Sequence, residues 1–80
     1  MKTISIKAEH YPTTRQEAEK FIAAACRFES SVLFQYNNKT INAKSVLGLL
    51  SLGKLDGELI IACNGADEEN AARVIAKLLS

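Results

Sequence analysis

Across residues 2–8 apolar and polar side chains alternate. Ile4, Ile6 and Ala8 fall on one face and Thr3, Ser5 and Lys7 on the other, the period of a half-buried strand. Residues 9–13 contain Pro12 and read as a loop, after which Thr14-Arg15-Gln16-Glu17 fits a capping box. The spacing then changes to three and four: Ala18, Phe21, Ile22, Ala25 and Phe28 form one helical stripe, with Glu19, Lys20 and Arg27 away from it. Alternation returns where Val32, Phe34 and Tyr36 interleave with Leu33 and Gln35. Asn37-Asn38, suited to positive φ, then turns the chain into the short strand Lys39-Thr40-Ile41-Asn42 and predicts a hairpin. Ser45 caps a short helix carrying Val46, Leu47, Leu49 and Leu50 that ends near Gly53. Asp56-Gly57 leads into a strand over 58–63, ended by Asn64-Gly65. Asp67 is the expected cap of a last helix with Ala71, Val74, Ile75 and Leu78 on one side and Arg73 and Lys77 elsewhere.

The resulting order is βαββαβα, an α+β arrangement of one sheet with all its helices on one side. At 80 residues such a chain buries only about 60% of the surface its unfolded form exposes, so residues 1–80 are expected to form a single domain around one core. The 48% hydrophobic and 24% charged content fits a compact fold. A net charge of +1 provides no basic field for nucleic acid or membrane, and no segment approaches the length of a bilayer span. Cys26 and Cys63 lie in apolar periodic segments and are expected as reduced core thiols; with the absence of a secretory pattern this places the protein in the cytoplasm.

Chemistry is sparse. Gly48 to Lys54 begins like a phosphate-cradling loop, but Leu55 replaces the hydroxyl residue that would bind magnesium, and no strand precedes it. His10 is the only histidine, so any histidine chemistry belongs to it, although a solvated loop residue is the simpler reading. No carboxylate pair, metal set or cofactor motif stands out, and catalysis is not indicated. Thr14 and Ser45 each have two readings: a helix cap, or a hydroxyl that accepts phosphate where helix amides stabilise negative charge.

The segment Asn42-Ala43-Lys44-Ser45-Val46-Leu47-Gly48-Leu49-Leu50-Ser51-Leu52-Gly53 resembles the regulatory-serine region of the HPr family. Arg27-Phe28, Asn38-Lys39-Thr40-Ile41 and Gly65-Ala66-Asp67-Glu68 extend the similarity over essentially the whole chain. The resemblance implies an open-faced β-sandwich of four antiparallel strands under three helices. It also implies a place in the sugar phosphotransferase system, where a histidine opening the first helix takes a phosphoryl group from Enzyme I. Counting back without gaps from Phe28 puts Thr14 at that histidine, Gln16 at the motif arginine and Glu17 at the motif proline. A threonine phosphate ester is no donor comparable to a phosphoryl-imidazole, and Gln16 has no guanidinium to offer a phosphate.

Lys44-Ser45 with Leu47 and Leu50 retains the family's second site, a serine modified by a kinase/phosphorylase, in the manner of Crh-like members that lack the histidine. The resemblance implies a noncatalytic regulator or adaptor without cofactor. Phosphate on Ser45 and an apolar patch of Leu47 and Leu50 would dock on a catabolite-control transcription regulator, with Lys44 and Arg15 as further partner contacts. Two alternatives stand beside it: a divergent phosphoryl carrier using His10, and an interaction domain that has lost both phosphorylations. The chain is expected as a monomer or weak homodimer.

Overall fold

A computed structural model describes residues 1–80. In chain order the elements are β1 (Lys2–Lys7), α1 (Arg15–Ala25), β2 (Ser31–Tyr36), β3 (Lys39–Asn42), α2 (Val46–Ser51), β4 (Glu58–Asn64) and α3 (Glu68–Leu79). All strand pairs are antiparallel, and the sheet order is β1-β4-β2-β3. The expected α+β order and the four-stranded open sheet are both present. No helix is long and apolar enough to cross a membrane.

The period-two pattern decides which sheet face is covered. Val32 and Phe34 of β2 and Leu59, Ile61 and Cys63 of β4 are buried, and Ile4, Ile6 and Ile41 pack beside them. Register sets Phe34 opposite Ile41 and Ile61, and Ile61 opposite Ile4, so one apolar row crosses all four strands. Helices α1, α2 and α3 close over it with Ala18, Phe21, Leu49, Ala71 and Ile75. Phe34 takes Phe21 at 5.8 Å and Tyr11 at 6.1 Å between ring centroids, both tilted, the arrangement aromatic quadrupoles favour. The opposite face, with Thr3, Ser5, Gln35 and Thr40, is open. The β2–β3 turn forms as predicted, Asn37 at φ 48° and Asn38 at φ 66°.

Four details depart from the sequence expectations. Helix α1 ends at Ala25, and the following amides of Arg27 and Phe28 tighten onto the carbonyls of Ala24 and Ala25; Phe28 packs from this turn and not from the helix. Cys26 is therefore not a core thiol. It is the C-cap, about 100° past buried Ala25 around the helix, and is exposed, while Cys63 is buried as expected. Burial pushes the Cys63 thiol up, with the charges of Glu68 and Asp67 adding to the shift. Helix α3 buries Ala71, Ala72, Ile75 and Leu79, so its stripe is rotated from the predicted one and Leu78 is left half in solvent. The small Ala71 and Ala72 allow that face to approach the sheet closely.

Asp67 holds the N-cap position of α3 but does not cap with its side chain. Its carboxylate instead accepts from the amides of Glu29 (2.9 Å) and Ser30 (3.0 Å) and from the Ser30 hydroxyl. The Ser30 hydroxyl and these amides hold the carboxyl below its usual range. The neighbouring Glu68 carboxylate accepts from Gly65 N, ahead of the helix, at 3.2 Å and pairs with the N-terminal ammonium at 2.9 Å.

The β4–α3 turn approaches Ser30 so closely that a Cβ built on Gly65 would lie 2.6 Å from Ser30 Cα. Gly65→Ala is expected to lower unfolding free energy by about 1–3 kcal/mol, the usual cost of overpacking, read as a shifted urea midpoint.

Candidate functional site

The two helix starts singled out by the sequence are built differently. At α1 the Thr14 backbone is extended (φ −118°, ψ 159°) and its hydroxyl accepts from Glu17 N at 3.2 Å. The Glu17 carboxylate reaches back to Thr13 N at 3.1 Å and Thr14 N at 3.3 Å. The capping box is complete, as predicted. These bonds, the Thr13 amide first, hold the Glu17 carboxyl below the usual range. Its negative charge therefore stands at the helix start and takes the Thr13 and Thr14 amides just before it, which disfavours a second anion there.

The residue at the motif arginine's place, Gln16, brings no charge. Arg15 is exposed, its Nε 3.6 Å from the Glu19 carboxylate one turn on, and Gln16 is exposed and neutral. His10 lies before the helix, exposed, its backbone N–H donating to Leu79 O at 2.8 Å. Together with Tyr11, Thr13, Glu17 and Lys54 it lines an open depression beside α1. Tyr11 itself is buried, its hydroxyl donating to Leu49 O at 2.7 Å, and burial pushes the phenol up. This bond ties the loop before α1 to α2.

At α2, Ser45 is half-buried and extended (φ −117°, ψ 126°), and its Oγ accepts from Gly48 N at 3.2 Å. Asn42 forms the approach: its side chain accepts from Lys44 N at 2.9 Å and its carbonyl from Ser45 N at 3.1 Å, an Asx-type turn. Gly48 leaves the space this turn needs, since a Cβ there would lie 2.9 Å from Asn42 O and 3.4 Å from Ser45 Cβ. No carboxylate bonds into this helix start.

Of the expected partner contacts, Leu47 is 82% exposed, whereas Leu50 is half-buried against the core. Lys44 differs from a free surface lysine: its ammonium donates to Phe28 O at 2.9 Å and Ser30 O at 2.8 Å. Arg15 lies on α1, apart from the Lys44–Leu50 segment in sequence, although α1 and α2 pack together. The residues missed by sequence reasoning are Asn42 and Ser30. The Asn42-x-Lys44 spacing was the available signal for the turn, whereas nothing local marks Ser30 as the residue on which Asp67 converges.

Comparison with known proteins places these features in one context. The family model described as PTS HPr component phosphorylation site matches residues 2–80. The phosphocarrier protein HPr of Buchnera aphidicola subsp. Schizaphis graminum is 35% identical over 80 residues, covering 99% of this chain and 93% of that one. HPr from Thermoanaerobacter tengcongensis superposes with a TM-score of 0.85 at 31% identity over 99% of this chain and 91% of that one. Crh, the Bacillus subtilis catabolite repression containing protein, was crystallised as a domain-swapped dimer and matches at TM-score 0.74 and 31% identity over 91% and 83% of the two chains.

The state of Glu17 makes the α1 start pH-dependent. A carboxyl depressed on folding contributes stability above its unfolded pKa, about 4.3, and loses that contribution as pH falls through its lower folded value. Glu17→Gln is therefore expected to be less stable than the wild type at neutral pH, with the difference closing below about pH 4. Thermal melts of both proteins over a pH series measure this convergence.

Proposed function

The chain belongs to the HPr family of the sugar phosphotransferase system, and from that premise we propose that it is a regulatory or adaptor protein of that network, acting through Ser45. As a member of a phosphocarrier family it is a protein component of the system and not an enzyme. The observation that carries the reading is the contrast between the two helix starts. The α1 start carries the chain's own Glu17 carboxylate on the Thr13 and Thr14 amides, while at α2 the Ser45 hydroxyl has no carboxylate beside it and lies near an exposed leucine.

Phosphate on Ser45 adds about −1.5 to −2 charge at the α2 amides, where it also meets the helix dipole. Leu47 provides the apolar contact beside it, with the part of Leu50 that the core leaves uncovered. The proposed partners are an HPr kinase/phosphorylase that modifies Ser45 and a catabolite-control transcription regulator that reads the charge and the leucine together. The likeness to Crh supports this pairing. We place the protein in the cytoplasm as one domain over residues 1–80, monomeric or weakly dimeric.

A second reading rests on two observations: relatives named phosphocarrier protein HPr, and an exposed His10 beside the α1 depression. In this reading His10 takes the phosphoryl group from Enzyme I.

Two incubations separate the readings. With the kinase and ATP, the wild type gains one phosphate and Ser45→Ala gains none; absence of modification in the wild type sinks the regulatory reading. With Enzyme I and phosphoenolpyruvate, an acid-labile phosphate on His10 establishes the carrier reading instead. Leu47→Ala is expected to keep its stability within about 0.5 kcal/mol, because the side chain is exposed. It is expected to weaken binding of the phosphorylated protein to the regulator by roughly tenfold, the scale of one lost interface anchor, as measured by calorimetry.

A further inference from the structure

We infer that Lys44 is a positioning residue for Ser45, fixing the acceptor hydroxyl through the Phe28 and Ser30 carbonyls instead of meeting a partner. This inference rests on the Ser45 reading for its functional meaning, but its geometry stands alone. Lys44 immediately precedes Ser45 and is half-buried. Its ammonium donates to Phe28 O at 2.9 Å and Ser30 O at 2.8 Å, both in the connection from α1 to β2. The Ser45 hydroxyl takes a different direction, to Gly48 N in α2.

The strap is held at each end. On one side, Ala43 N donates to Val32 O, Lys44 N to Asn42 Oδ1 and Ser45 N to Asn42 O, which fixes the backbone leading into Ser45. On the other, the receiving carbonyls belong to a turn whose Glu29 and Ser30 amides bind Asp67 at the start of α3. Ser30 is thus held by Asp67 through its N–H and hydroxyl, and by Lys44 through its carbonyl. An ammonium shared between two backbone carbonyls makes charge-assisted bonds, stronger than neutral ones. Their loss leaves two acceptors without this donor and frees the segment that sets the extended backbone of Ser45.

The experiment compares wild-type, Lys44→Met and Lys44→Arg full-length chains; methionine keeps an apolar stem and removes the donors, and arginine restores them. In the wild type, nitrogen-edited NMR is expected to show a slowly exchanging Lys44 ammonium. Amide exchange at Ser45 and Gly48 is expected to rise roughly tenfold in Lys44→Met, to return near wild type in Lys44→Arg, and to change little in the β4 ladder. With the serine kinase, Lys44→Met should lose kcat at unchanged KM, and Lys44→Arg should recover it.

A rise in KM with kcat and Ser45 exchange unchanged makes Lys44 a partner contact and overturns the inference. So does unaltered exchange at Ser45 and Gly48 in Lys44→Met. If the wild type is not phosphorylated, the regulatory reading fails while the exchange data still decide Lys44. If Lys44→Met does not fold, the wild-type ammonium decides: rapid exchange there overturns the assignment.

Discussion

The placement of β4 between β1 and β2 is the constraint from which the rest of the molecule follows. The two strands that flank it are separated in sequence by α1 and lie far upstream, so the sheet is incomplete until residues 58–64 enter its centre. Strand β4 donates to and accepts from both neighbours, and its inward Leu59, Ile61 and Cys63 are fully buried. These pairings close long loops, so their entropy must be met by the apolar row running from Ile4 through Ile61 and Phe34 to Ile41. The helices have a surface to cover only once that row exists.

The end of β4 also governs the electrostatics. Immediately beyond it, Gly65 lies against Ser30, and Asp67 turns away from its own helix to bind the amides of the α1–β2 connection. Lys44 reaches the same connection from the segment before α2. A carboxylate from the residue before α3 and an ammonium from the α2 approach therefore serve the opposite backbone groups of one turn, acceptor to its N–H groups and donor to its carbonyls. Such satisfied half-buried networks specify a unique arrangement, because every partial alternative leaves a polar group without a partner.

The two hydroxyl-capped helix starts differ in charge. Both α1 and α2 begin with a hydroxyl cap on an extended residue, yet α1 brings in an anion of its own and α2 does not. A negative group at a helix start is a stabilising interaction and also an obstacle to a second negative group. Glu17 thus brings the chain's own negative charge to the α1 start, while at α2 the Ser45 hydroxyl accepts from Gly48 N with no carboxylate beside it and Leu47 is exposed.

The sequence by itself determined what depends on neighbours a few residues apart. The strand faces, the Asn37-Asn38 turn, the Thr14–Glu17 box and the Ser45 cap follow from period, turn chemistry and short-range hydrogen bonding, and all are present. The family pattern was likewise legible, because it is a property of residue identity and spacing. Tertiary structure alone decided the strand order, the rotation of α3 that exposes Leu78 and the side-chain directions of Asp67 and Lys44. In each of these the deciding partner lies far along the chain. Asp67 has a helix start beside it and binds the Glu29 and Ser30 amides instead, because the close packing of the β4–α3 turn on Ser30 puts those amides within its reach.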